Sequence, residues 1–220
     1  YKVTGVQTCA LPILDATEPE KMVDIITSLE PTFGAINLED IKAPECFIVE
    51  QRCRERMNIP VFHDDQHGTA IVAAAAILNG LRLVGKRFAD IKLVSTGGGA
   101  AGIACLNLLV GMGVKRENVT LVDRLGVVHV GRNEEMDIYK EAYAQNTDAR
   151  ELDEVIDGAD VFLGLSAPGI LTGDMVKRMA DRPLIMALAN PVPEIEPDEA
   201  RAAAPDAIIA TGRSDFPNQV

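Results

Sequence analysis

Apolar residues along this chain recur first at helical and then at strand spacing. Between Glu18 and Leu29, the positions Met22, Ile25, Ile26 and Leu29 fall on one helical face, and Pro31 stops that helix. Phe33 to Leu38 then reads as a short buried strand that delivers Glu39-Asp40 at its carboxyl end. Pro44 suits the first turn of a helix running to about Met57, with Phe47, Ile48 and the aliphatic stems of the arginines on one side. Pro60 to Phe62 is the next strand, and it ends at Asp64-Asp65. Gly68 to Val84 is apolar on nearly every face, which predicts a buried helix linking two parts of the molecule.

Further along, strand and helix alternate. Asp90–Ser95 and Asn118–Asp123 are strands separated by a helix over Ala100–Met112, and Gly126–Val130 adds a short hairpin arm. Asn133 to Asp153 is a charged excursion expected to be solvated, so its Tyr139 and Tyr143 are not nominated for chemistry. Strands are predicted again at Asp160–Gly164, Pro183–Leu188 and Ala207–Thr211, with helical segments between them. Such alternation is the signature of an α/β fold with a doubly wound parallel sheet. In open sheets of this kind ligands bind at the carboxyl ends of the strands, which is where both acidic pairs fall.

Composition narrows the classes. The chain has 220 residues, enough for one large domain or one complete domain plus part of another, and its 47% hydrophobic content can fill a core. A formal charge of −12, no Trp and 4% aromatics argue against nucleic acid, because an acidic surface repels phosphates and base-stacking rings are scarce. Cys9, Cys46, Cys53 and Cys105 form neither a CxxC pair nor a disulfide framework and are expected as buried free thiols. No apolar run reaches the roughly 18 residues of a membrane span, and the chain reads as cytoplasmic. Residues 1–14 do not match the texture that follows: they begin without Met, lack signal-peptide features, and resemble translated adapter sequence, so they are read as a foreign leader outside the fold.

The sharpest local signal is Gly97-Gly98-Gly99-Ala100-Ala101-Gly102, a GxGxxG turn through Gly97, Gly99 and Gly102. It follows a predicted strand and opens a helix, and Asp123 closes the next strand, which is the context of a dinucleotide-binding βαβ unit. Gly97 makes the tight turn, Gly99 lets backbone approach the pyrophosphate, Gly102 lets helix lie on strand, and the helix amino terminus stabilises phosphate charge. Asp123 would accept from an adenine-ribose 2′-hydroxyl and repel a 2′-phosphate, favouring NAD. Arg124 beside it would attract that phosphate, so NAD and NADP both stand. Glu39, Asp40 and one of Asp64 or Asp65 offer hard oxygen ligands suited to Mg or Mn. A zinc site through His63 and His67 is the weaker alternative, since a turn separates them; both are expected to hydrogen-bond the acidic cluster or simply to pack.

Taken together and in order, FGAINLEDI, PVFHDDQHGTA, VSTGGGAAGIA, ALANPVPEI and ATGRSDFPNQV resemble the bacterial malic enzymes, especially the long form with a phosphotransacetylase-like tail. The resemblance covers roughly residues 15–220. It implies a Rossmann-like doubly wound sheet, residues 67–220, preceded over 15–66 by the end of a smaller α/β malic-type domain. It also implies that the Rossmann-like domain, residues 67–220, is cut at its C-terminus, and that the complete protein is a homo-oligomer. It places the metal on Glu39, Asp40 and Asp65, with Asp64 positioning a catalytic lysine. Gly98, Gly99, Ala100 and Ala101 fall on the pyrophosphate turn, Ser166-Ala167-Pro168-Gly169 on a loop lining the cofactor cleft, and Asn190 on the residue facing nicotinamide ribose and substrate. The implied reaction is oxidative decarboxylation of L-malate to pyruvate and CO2 with reduction of NAD(P). The family's tyrosine acid and lysine base lie upstream of anything matched here, so this chain alone is expected to bind dinucleotide without turning over malate. The competing readings are a metal-free NAD(P) dehydrogenase and a non-catalytic nucleotide-binding module.

Overall fold

The computed structural model describes residues 10–220, which separate into two compact units meeting between Phe62 and His63. Residues 1–9, including Cys9, lie outside the described part, and residues 10–14 have no regular structure.

In the first unit, helix α1 (Pro19–Ser28) buries Met22, Val23 and Ile26, and strand β1 is shorter than predicted, Ile36–Leu38. Helix α2 (Glu45–Arg56) differs in phase from the expectation: it buries Cys46, Val49 and Cys53, whereas Ile48 is exposed. The apolar run Phe47-Ile48-Val49 leaves the inward face ambiguous, and packing against Met22, Val23, Ile26, Leu38 and Met57 selects the Val49 and Cys53 side. Strand β2 (Val61–His63) pairs with β1 in a two-stranded sheet.

The second unit holds a six-stranded sheet. Its strands are β3 (Leu93–Thr96), β4 (Val119–Asp123), β5 (Gly126–Val127), β6 (Val161–Gly164), β7 (Leu184–Ala187) and β8 (Ile208–Thr211), in the order β5-β4-β3-β6-β7-β8. All neighbours are parallel except β4–β5, and Leu93 is in register with both Val119 and Val161. The chain leaves β3 toward β4 on one side and returns to β6 on the other, so the switch point of this Rossmann-like sheet lies between β3 and β6.

Helices cover both faces. Val94, Val122, Phe162, Ile185 and Ile209 form one core with residues of α6 (Leu152–Val155), α7 (Gly173–Arg178) and α8 (Pro197–Ala203). On the opposite face α3 (Thr69–Val84) packs on α4 (Ala100–Gly111), and Gly80 lets α3 approach Leu184, because a Cβ there would stand 2.6 Å from Leu184 Cδ2. The prediction that α3 is buried all round does not hold: Ala70, Ala73, Ala74, Ile77 and Leu81 face inward, but Ile71, Val72 and Leu83 are exposed. Counted with the turn that precedes it, the helical stretch Asp64–Val84 is also long and apolar enough in composition to cross a membrane, unlike the expectation from the sequence. Its packing on α4 and β7 makes it a core helix of this unit.

The segment expected to be a solvated excursion folds back onto β4. Within it α5 (Ile138–Glu141) starts at Asp137, whose side chain accepts from the N–H groups of Tyr139 and Lys140. Tyr143 is buried and its hydroxyl donates to Asn107 Oδ1 at 2.7 Å. Cys46, Cys53 and Cys105 are free and buried, as expected, with burial pushing the thiols up to about 11, 11 and 12.

Candidate functional site

The turn after β3 is shaped by what its glycines must avoid. Gly97 takes φ 105, donates its N–H to Val122 O at 2.8 Å, and passes so close to Leu165 that a Cβ would lie 2.4 Å from that carbonyl oxygen. A Cβ on Gly102 would fall 1.9 Å from Gly97 O, so helix α4 can lie against the turn only without one. Gly99, by contrast, opens on empty space and is the N-cap of α4 with no side-chain cap among the described residues. The stretch Gly98-Gly99-Ala100-Ala101 leads into the amino end of α4, where the helix carries partial positive charge and suits an anion.

At the carboxyl end of β4, Asp123 is not an open acceptor. Its Oδ2 receives Arg132 Nη2 at 2.5 Å and Lys140 Nζ at 2.9 Å, and its Oδ1 receives the Leu125 N–H at 3.0 Å. The Asp123 and Arg132 side chains are each 7% exposed. Burial raises the Asp123 carboxyl, but the two cations and the Leu125 N–H outweigh it and hold the group below the ordinary Asp range. Lys140 also spans the glycine turn, since a Cβ on Gly98 would meet its Cε at 2.8 Å. Arg124, the other candidate for the ribose end, is turned into an ion pair with Glu135.

Past the switch point, the ends of β6 and β7 carry Ser166 and Asn190. Ser166 Oγ donates to Thr96 Oγ1 at 3.0 Å, placing it beside the end of β3. Asn190 is exposed, begins a cis peptide to Pro191, and has its Nδ2 against Gly212, where a Cβ would lie 3.3 Å away. Arg213 Nη1 donates to Pro191 O at 2.9 Å, tying the loop after β8 to the loop after β7. Glu194, fully buried within the loop after β7, reaches the loop after β6, accepting the Ser166 N–H at 2.9 Å and the Ala189 N–H at 3.0 Å. Burial pushes its carboxyl above the ordinary Glu range, against the pull of those donors.

The acidic pairs are placed by the units to which they belong. In the first, Glu39 and Asp40 follow β1 directly and are exposed, and Asp40 takes φ 59. In the second, Asp64 and Asp65 open a single π-helical turn, Asp64–Gly68, that runs into α3. The Asp64 carboxylate lies over Gly68, where a Cβ would be 2.4 Å from Oδ1, and Asp65 Oδ2 is 4.0 Å from Nδ1 of the fully buried His63. Carboxylate oxygens at strand ends match the donor chemistry of Mg or Mn. Among the described residues no group of three His, Cys, Asp or Glu side chains is set to hold an ion.

Three participants escape a reading of the sequence: Arg132, Lys140 and Glu194. Lys140 lies in the stretch whose polarity reads as solvated and Arg132 directly before it, and the local cue there is the helix start at Asp137. Glu194 lies in the proline-rich PVPEIEP, which reads as an exposed loop.

An open glycine turn at the switch point of a doubly wound parallel sheet, with charge recognition at the end of the next strand, defines a dinucleotide-binding domain of the Rossmann type. Residues 66–219 match the family described as malic enzyme, NAD binding domain, and residues 15–54 match malic enzyme, N-terminal domain. The chain belongs to the malic enzyme family. It is 64% identical over 204 residues, 92% of its length, to the NADP-dependent malic enzyme of Haemophilus influenzae, and 62% identical over 219 residues, 100% of its length, to the NAD-dependent malic enzyme of Rhizobium meliloti. It spans 27% and 28% of those two proteins. The crystal structure of the NAD-dependent malic enzyme of Thermotoga maritima superposes with a TM-score of 0.87 at 48% identity, covering 94% of this chain and 55% of that one.

Proposed function

We propose that this chain carries the dinucleotide site and the metal-ligating carboxylates of an enzyme that oxidatively decarboxylates L-malate to pyruvate and CO2, with NADP preferred over NAD. The observation that carries the reading is the pair Arg132 and Lys140, closed on Asp123 directly beside the open glycine turn. The two relatives named above are nearly equal in identity and differ in cofactor, so their names do not choose between NAD and NADP. The charge arrangement supports NADP: a carboxylate already held by two cations repels a 2′-phosphate less, and Lys140 and Arg132 supply the charge that phosphate seeks.

The chain's own groups then divide the work. The N–H groups at the start of α4 bind the pyrophosphate, and Gly99 leaves them open. Ser166 and Asn190, at the ends of β6 and β7, face the nicotinamide ribose. A bound nicotinamide would supply the hydride acceptor for C2 of the substrate. Glu39, Asp40 and Asp65 would be the residues that hold a divalent ion, whose chemistry would be Lewis-acid stabilisation of negative charge on the substrate. Asp64 positions a catalytic lysine, with its carboxylate steadied over Gly68. The domains of this reading are residues 15–66 and 67–220, and the compact units divide four residues earlier, between Phe62 and His63. The negative charge and the core position of α3 support a soluble cytoplasmic enzyme, and the exposed Ile71, Val72 and Leu83 support self-association.

Mn titration followed by electron paramagnetic resonance, with NADP present, tests the metal assignment. Glu39→Ala and Asp65→Ala are each expected to weaken Mn binding by at least about tenfold while NADP affinity holds. Unchanged Mn binding in both variants contradicts it.

A further inference from the structure

We infer that Glu194 is the positioning residue for the nicotinamide half of the dinucleotide: one buried carboxylate joins the loop after β6 to the loop after β7 and so sets Ser166 and Asn190 relative to each other. The inference rests on the dinucleotide reading above.

The geometry is specific to this carboxylate. Oε1 takes the N–H of Ser166 itself, and Oε2 takes the N–H of Ala189, the residue before Asn190. The group lies flat on Gly164, the last residue of β6, where a Cβ would be 2.3 Å from Glu194 Cδ, so the seat exists only because that residue is glycine. The backbone reinforces the tie: Gly169 N–H donates to Pro193 O at 3.2 Å and Leu171 N–H to Glu194 O at 3.0 Å. On its far side the β6 loop touches the cofactor turn, through Leu165 O against Gly97 and Ser166 Oγ on Thr96 Oγ1. A side chain in the 189–194 loop is therefore connected to both walls of the crevice at the switch point. The adenosine half of a dinucleotide is held by the β3–β4 half of such a sheet, so the walls that Glu194 sets belong to the other half of the ligand.

A buried acid that only stabilises the fold would weaken every ligand alike when lost. A positioning role predicts a selective loss. The test compares NADPH with 2′-phospho-ADP, which keeps the adenosine and pyrophosphate and lacks both the nicotinamide and its ribose. In Glu194→Gln one N–H acceptor is replaced by a donor at unchanged size. NADPH affinity is expected to fall about tenfold and its bound-state fluorescence enhancement to disappear, while 2′-phospho-ADP binds within about twofold of wild type. Gly164→Ala, which displaces the carboxylate without removing it, is expected to reproduce the selective loss. Amide hydrogen exchange on the unaltered chain covers the case in which neither variant folds: Ser166 and Ala189 should be slowed more by NADPH than by 2′-phospho-ADP. Equal losses for the two ligands, or equal protection by them, overturn the inference. An unaltered chain that binds neither ligand overturns the dinucleotide reading itself, and the inference falls with it.

Discussion

Asp123 and Glu194 are two carboxylates at the strand ends of one sheet, and they are satisfied in opposite ways. Asp123 ends β4 against two cations that reach it from a single polar segment, and its carboxyl is held below the ordinary range. Glu194 meets only backbone N–H groups in a fully buried seat, and burial holds its carboxyl above the ordinary range. The first arrangement sets a charge balance at the rim, which a ligand phosphate can enter. The second sets a distance between loops. On the proposed reading, recognition and positioning fall to different halves of the sheet.

Small changes at the glycines under each carboxylate should separate the halves most sharply. Gly164→Ala drives a Cβ into the buried Glu194 carboxylate, which can yield only by leaving its two N–H donors, and should lower stability by about 1–3 kcal/mol in urea denaturation. Asp123→Asn removes the negative charge between Arg132 and Lys140, and should tighten NADP about threefold to tenfold, roughly 1 kcal/mol, when measured by calorimetry. Gly98→Ala meets only the far end of Lys140, so its stability cost should stay below about 0.5 kcal/mol while NADP weakens by about threefold as Lys140 moves.

Acidity offers the gentlest probe. The stability that Asp123 contributes is present above the ordinary Asp range and is lost as pH falls through its lowered folded value. That of Glu194 is present below the ordinary Glu range and is lost as pH rises through its raised folded value. Thermal melts across the acid range should therefore show Asp123→Asn flattening the fall toward low pH, and Glu194→Gln flattening the fall toward neutrality.

How much of this was legible beforehand follows the range of the interactions. The turn from β3 into α4 could be read because the glycine spacing is local and each glycine answers a backbone constraint within a few residues. The parallel sheet could be read because buried strands are short apolar runs between helices. The inward face of α2 could not, since contiguous Phe47-Ile48-Val49 fits more than one phase and only packing with α1 decides. Arg132 and Lys140 act across a fold-back from a segment whose composition is that of solvated chain. Glu194 is a carboxylate buried by loops, and no local pattern marks an acid whose partners are backbone N–H groups 5 and 28 positions away.

The charge balance at Asp123 is the centre of the account, and calorimetric titration of NADP and NAD into the unaltered chain and into Lys140→Ala tests it directly. The account predicts that NADP binds more tightly than NAD to the unaltered chain, and that Lys140→Ala weakens NADP about tenfold with NAD within about twofold. NAD binding as tightly as NADP, or a variant that loses both equally, would contradict it.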